Sequence, residues 1–219
     1  MSNETKKIKN RYNRISKIYD VLEGPMEAMT MSTWREKLIT SIEGDQVLEV
    51  GVGTGKNLLL YPEKLEITGI DFSEKMLEKA IQKTKGKENI TLIEMDAQNM
   101  SFADNTFDTV VTSCVFCSVP DPVKGLKEIR RVCKPNGKIV MLEHMRSHHT
   151  IIGKFMDMAN FFPLYTWGAN INRETISNIL KAGFKEEEIE TQDLWSDIVK
   201  LIEIRNKGVE TFMKKRLYL

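Results

Sequence analysis

Three glycines fall within five residues, Gly51-Val-Gly-Thr-Gly55, directly after the apolar run Gln46-Val-Leu-Glu-Val50. Such a loop lets a strand turn tightly and brings the backbone close to a ligand where a Cβ would intrude. The plain alternative is a tight turn with no ligand, and the residues downstream decide between them. Glu66 to Ile70 reads as a second strand ended by Asp71, and Ile90 to Met95 as a third ended by Asp96. Phe107 to Thr112 is a fourth, and Lys138 to Glu143 a fifth after the turn Pro135-Asn-Gly137. Between them lie helical stretches at Lys56 to Tyr61, at Glu74 to Lys85 with Ser73 as its cap, and at Val123 to Cys133. Strand and helix alternate over short connections, the pattern of a parallel sheet with helices on both faces.

The chain end extends this pattern. A helix from Arg173 to Ala182, capped by Asn172 and stopped by Gly183, precedes two strands near Glu188 to Leu194 and Ile198 to Ile204. A closing hairpin of this kind makes the sheet mixed, with one antiparallel strand. Ile151 to Trp167 shows no clean strand or helix period. With 219 residues there is length for one well-buried core, and a net charge of +1 gives no global field for nucleic acid. No apolar run approaches the ~20 residues of a membrane span, and the N-terminus is charged where a signal peptide is apolar. Cys114, Cys117 and Cys133 form no disulfide framework, so a cytoplasmic setting is expected.

Open sheets of this kind bind ligands beyond the carboxyl ends of their strands. A dinucleotide fingerprint needs a small residue at position 56, but Lys56 stands there. A P-loop needs Ser or Thr after Gly55-Lys56, and Asn57 follows instead. Asp71, about twenty residues beyond the loop, is placed to accept ribose hydroxyls, and Asp96 to accept an adenine amino group. Together they describe a nucleoside held without a pyrophosphate.

These residues resemble class I S-adenosylmethionine-dependent methyltransferases. Glu49-Val-Gly-Val-Gly-Thr-Gly55, Gly69-Ile-Asp71 and Met95-Asp96-Ala97 are similar to the first three motifs of that family, and Phe107 to Val111 with Arg131 to Gly137 to its fourth strand and following turn. Asn136 stands where the family usually has a second glycine, and Asn tolerates the positive φ of such turns. The resemblance implies a Rossmann-like fold, a mostly parallel seven-stranded sheet with one antiparallel strand and helices on both faces. It divides the chain into a helical lid at 1–42, a cofactor core at 45–144, an acceptor-side insertion at 145–172, and a closing helix and hairpin at 173–205.

The same resemblance implies S-adenosyl-L-methionine as cofactor and S-adenosyl-L-homocysteine as product. Gly51, Val52, Gly53 and Gly55 would approach the amino-acid part of the cofactor, Asp71 the ribose, and Phe72, Met76, Asp96 and Ala97 the adenine. Glu49 would fix the loop from below, and Ser113 and Cys114 would line the cleft. Tyr19 resembles the tyrosine of an N-terminal Tyr-Asp pair that closes over the cofactor in one branch.

Two further motifs have plainer readings. Cys114-Val-Phe-Cys117 has redox spacing but ends a strand rather than opening a helix, so the thiols read as small cleft-lining hydrophobes. His144, His148 and His149 lack the spacing of a zinc site, and no metal is expected. His144 is the candidate general base, with shaping of the cleft as its alternative role. Tyr19 is the second catalytic candidate.

Ile8, Tyr12, Ile15, Tyr19 and Leu22 recur at helical spacing beside a basic side of Lys6, Lys7, Lys9, Arg11, Arg14 and Lys17. That stripe fits a helix docked on the core, or one lying on a membrane surface. The branch resembled includes quinone C-methyltransferases, phosphatidylethanolamine N-methyltransferases and membrane-associated thiol methyltransferases. It implies a small, lipophilic acceptor, with a phospholipid amine ahead of a quinone ring or thiol, and peripheral membrane contact through the N-terminal helix. A cofactor-binding regulatory protein is the non-enzymatic alternative. Nucleic acid is not an expected partner, since no Asn/Asp-Pro-Pro-Tyr/Phe motif follows strand four. Phe155, Met156, Met158, Phe161 and Phe162 fit the lipophilic theme and equally fit a core.

Overall fold

The computed structural model describes residues 2–166 and 168–208, and within the first helical stretch it leaves out the side chains at 22, 23 and 25–28. Leu22 and Trp167 therefore lie outside the description. Seven strands form one sheet in the order β3-β2-β1-β4-β5-β7-β6. They are β1 (Gln46–Val50), β2 (Glu66–Asp71), β3 (Ile90–Glu94), β4 (Phe107–Ser113), β5 (Cys133–His144), β6 (Ile189–Trp195) and β7 (Val199–Arg205). β1 to β5 pair in parallel, and β7 runs antiparallel to both β5 and β6.

The period of two along the central strands sorts their side chains into two buried layers. Val110, Ile139, Met141 and Ile202 face one way, onto Leu126 and Ile129 of α4 (Pro122–Val132) and Ile179 of α7 (Thr175–Lys181). Val111, Val140, Leu142 and Leu201 face the other way, into the layer holding Leu38 of α2 (Ser32–Thr40) and Leu77 and Ala80 of α3 (Glu74–Lys83). β6 lies at the sheet edge and is mostly exposed, in keeping with its Glu190-Thr-Gln-Asp193 sequence.

Local signals set the helix ends. Ser73 caps α3 by accepting from the Met76 amide, and Asp121 caps α4 by accepting from Lys124 N, with Pro122 in the first turn. Asn136 carries the expected positive φ, 62°, in the turn inside β5.

Several expectations are corrected. Lys56 to Tyr61 is a single 3-10 turn at Asn57–Leu59, not a helix. Pro62 closes off the stretch, since it cannot donate to the helical ladder, and the Asn57 side chain is drawn into the core. The stretch from 151 onward holds two helices, α5 (Thr150–Ala159) and α6 (Phe161–Thr166), whose apolar residues lie on both faces and so hide the period. Glu174, not Asn172, stands at the start of α7, and the Asn172 amide donates to Asp157 at 3.1 Å. The N-terminal stretch forms α1 (Asn3–Met26), one π-helical turn at Glu27–Met31 and then α2.

Candidate active site

β1 is flanked by β2 on one side and β4 on the other, so the chain order reverses beside it and a crevice opens at the carboxyl ends. A cavity opens there. Among the sequence-predicted residues, the structure brings Gly51, Asp71, Phe72, Asp96 and Ala97 together in its wall. Gly51 has φ +73°, and a Cβ there would stand 2.5 Å from Val115 Cγ2, so the loop tolerates no side chain at this point. Gly55 has φ +82° and rests on the Ala80 backbone of α3, 3.0 Å from where its Cβ would be.

Asp71 is buried at the end of β2. Its Oδ2 accepts from Gly53 N at 2.9 Å and its Oδ1 from Ser73 N at 2.8 Å. Burial pushes its carboxyl up to about 6, against the pull of those two amides. The carboxylate thus pins the glycine loop while facing the cavity. Asp96 accepts from Gln98 N at 2.9 Å and Gln98 Nε2 at 3.0 Å.

Glu49 sits under the loop rather than in the cavity. Its Oε1 accepts from Asn57 Nδ2 at 2.8 Å, and Arg35 Nη1 reaches Asn57 Oδ1 at 2.6 Å and Ser113 Oγ at 3.2 Å. The neighbouring Tyr61 hydroxyl is buried beside the Glu49 carboxyl and interacts with it. Burial pushes Glu49 up to about 7, with the Tyr61 hydroxyl, Asn57 and the Arg35 guanidinium pulling the other way. Val52 and Met76 are buried in the packing behind the loop. Cys114 is half-buried with φ 54° at the end of β4.

Two catalytic candidates lie away from the cavity wall. His144 ends β5, and its imidazole meets the backbone of Ile171. Burial lowers its pKa, which leaves the ring neutral at physiological pH. Tyr19 is half-buried, with its ring centroid 6.3 Å from that of Tyr12. Burial also pushes the Cys117 thiol up to about 12, so it is not a ready thiolate.

Helix α1 lies across the cavity mouth. Thr5 and Ile8 form part of the wall, and Gln98 Nε2 donates to Thr5 Oγ1 at 3.2 Å. Tyr12 meets Phe72 edge-on at 5.8 Å between centroids, and its hydroxyl reaches Ser118 Oγ at 2.5 Å. Ser73 Oγ donates to Asn13 Oδ1 at 2.6 Å, Lys9 pairs with Glu94, and Thr54 Oγ1 donates to Asp20 Oδ1 at 2.6 Å. Ile8 is buried and Tyr12, Ile15 and Tyr19 half-buried, so this stripe lies against the protein. Sequence reasoning missed the bridging role of Tyr12, which was visible only as one member of that stripe. It also missed Thr5, Gln98, Ser118 and Arg35, whose partners are distant in sequence.

Glu143 is buried beneath the loop that follows β4. Its Oε1 accepts from Thr112 Oγ1 at 2.9 Å and Val115 N at 3.1 Å, while Oε2 has no hydrogen bond. Burial pushes its carboxyl from an ordinary 4.5 up to about 7. The folded chain therefore keeps this proton after the unfolded chain has lost it. Stability from this group is present below pH 4.5 and is lost as pH rises through about 7. Glu143→Gln should raise the melting temperature near pH 8 and flatten its fall between acid and neutral pH. A pH series of thermal melts in which the variant tracks the parent would contradict this.

Residues 48–141 match the family of methyltransferase domains. A phosphatidylethanolamine N-methyltransferase from Cereibacter sphaeroides is 45% identical over 104 residues, covering 46% of this chain and 51% of that protein. A demethylmenaquinone methyltransferase from Staphylococcus epidermidis is 38% identical over 139 residues, covering 60% and 58%. The chain spans just over half the length of these curated relatives. In fold it is similar to a solved Thermotoga maritima S-adenosylmethionine-dependent methyltransferase, described as a possible histamine N-methyltransferase. The TM-score is 0.71 at 20% identity, covering 90% of this chain and 99% of that one. Residues 48–141, somewhat less than half of the chain, are thus similar to methyltransferase domains, and the chain shares its fold with a solved S-adenosylmethionine-dependent methyltransferase.

Proposed function

We propose that the chain transfers a methyl group from S-adenosylmethionine to a lipophilic acceptor, in first place a phospholipid amine. The observation that carries the cofactor reading is the cavity walled by Gly51, Asp71, Phe72, Asp96 and Ala97 behind the glycine loop. Only one 3-10 turn follows that loop, so no α-helix N-terminus is aimed at a pyrophosphate there. A nucleoside with an amino-acid tail fits the donors present. Asp71 would hold the ribose hydroxyls, Asp96 and the Ala97 edge the adenine, and Phe72 would lie along the ring. Bound there, S-adenosylmethionine supplies an electrophilic methyl on its sulfonium, which leaves with formation of a bond to the acceptor and release of the thioether.

The acceptor reading rests on what the wall lacks and on the relatives. Asp71 and Asp96 are the ionisable residues of the described wall, and both are engaged by the nucleoside in this reading. His144 and Tyr19, the two candidate bases, stand outside it. An amine loses one proton to solvent to expose its lone pair and another after transfer, both without a base in the wall, whereas a ring carbon needs a base placed at the carbon to take its proton. Positioning then supplies most of the rate, with α1 excluding water from the cavity. The relatives named for phosphatidylethanolamine and demethylmenaquinone both act on lipophilic molecules by their names, which supports the class.

The test is transfer of radiolabelled methyl from S-adenosylmethionine to phosphatidylethanolamine, a demethylated quinone and alkyl thiols, each in mixed micelles. Label should enter phosphatidylethanolamine first. Label in the quinone or thiol alone would replace the amine reading, and no turnover with any lipid would favour a regulatory binding protein.

A further inference from the structure

The face formed by α5 and α6 is apolar and turned outward. Ile151, Phe155, Met158, Phe161, Phe162 and Tyr165 are each 58–85% exposed, while Met156 on the opposite side is buried. The spacing 151, 155, 158 puts one stripe along α5, and α6 continues it after Asn160. Of the five residues that fit both a lipophilic theme and a core, four are thus on the surface. Exposed apolar faces of this extent mark contact sites rather than ordinary surface.

Its neighbour is the basic side of α1. Arg11 Nη1 donates to Leu164 O at 2.7 Å, which ties the two helices together. Lys7 and Arg14, four before and three after Arg11, share its side of α1 and are exposed. Ile18, one turn further along the same side, is exposed as well. Glu4 lies on this side too, so the rim is predominantly, not wholly, basic. Ile8 links this seam to the cavity, since it forms part of the cavity wall and stands 3.1 Å from where a Cβ on Gly168 would be.

We propose that the α5–α6 face, with the basic rim of Lys7, Arg11 and Arg14, seats the protein on the surface of an anionic bilayer. The inference rests on the lipophilic-acceptor reading and adds where such an acceptor is met. Apolar side chains enter the acyl boundary while the rim meets anionic headgroups. This assigns membrane contact to α5 and α6, with α1 contributing charge rather than its inward stripe. The positive rim beside the apolar face complements anionic headgroups, which favours the anionic bilayer as occupant over a second copy.

The experiment is sedimentation of the full chain, without methyl donor, with phosphatidylcholine vesicles carrying phosphatidylglycerol. The parent should co-sediment, and added salt should release it. Phe155→Ser/Phe161→Ser should lower vesicle affinity at least ~tenfold, and Lys7→Glu/Arg14→Glu by a similar factor that disappears at high salt. All should bind S-adenosylmethionine as the parent does in calorimetry, which shows that the variants are folded. A parent that stays in the supernatant overturns the proposal. So does a Phe155→Ser/Phe161→Ser variant that sediments like the parent, or a face that serves only to dimerise the chain. Sedimentation needs neither cofactor nor acceptor, so a failed transfer assay counts against the acceptor reading alone.

Discussion

Asp71→Ala should weaken S-adenosylmethionine binding ten- to a hundredfold. One hydrogen bond from a ribose hydroxyl to a charged acceptor contributes ~1.5–3 kcal/mol, so the net loss of a single such bond already corresponds to that range. The loss has a second source in this protein, because Asp71 Oδ2 also accepts from Gly53 N and fixes the glycine loop. Asp71→Asn separates the two. It keeps one acceptor for the loop amide but removes the charge, so it should lie between Ala and the parent. The carboxyl titrates near 6 in the free protein, raised by burial. Binding that needs the carboxylate should therefore weaken as pH falls below about 6 in the parent and stay flat in Asp71→Asn. Calorimetry over pH reads both effects. Unchanged affinity in Asp71→Ala would remove this residue from the site.

Removing residues 2–20 should lower turnover further, on the order of a hundredfold or more, because α1 supplies part of the cavity wall and excludes water. Thr5, Tyr12, Asn13 and Asp20 each hold it to a different element around the mouth. Truncation also uncovers apolar surface, so a gentler variant is needed alongside it. Tyr12→Phe/Asp20→Asn keeps the helix and removes its tie to Ser118 and the charge facing Thr54 and Lys83. Two such bonds at ~0.5–1.5 kcal/mol each predict roughly tenfold faster loss of bound cofactor. Stopped-flow release of the cofactor checks this, and a release rate equal to the parent's would show that α1 is no lid.

The sheet and the cofactor end of the cavity were legible because their signals are local. β1 and the glycine loop adjoin in sequence, and Asp71 and Asp96 each follow their own strand. The caps at Ser73 and the turn at Asn136 are likewise decided within three or four residues. The rest depended on contacts between distant segments. Lys56 to Tyr61 has helical composition, yet Asn57 is held by Glu49 and by Arg35, 22 residues away. The rotation of α1 about its axis, which sends Tyr12 rather than Tyr19 over the cleft, is set by Ser118 and Phe72. In α5 and α6 the outward apolar residues mask the period that would have marked them as helices.

Thermal melting of the purified chain with each candidate ligand tests the identity of the cofactor most directly. Ligands that bind only the native state raise its stability, by about 2.7 kcal/mol at a hundred times the dissociation constant. For a chain of this size that is roughly 5–10 °C. S-adenosylmethionine and S-adenosylhomocysteine should each produce such a shift and NAD none; a shift with NAD and none with either of the other two would contradict the account.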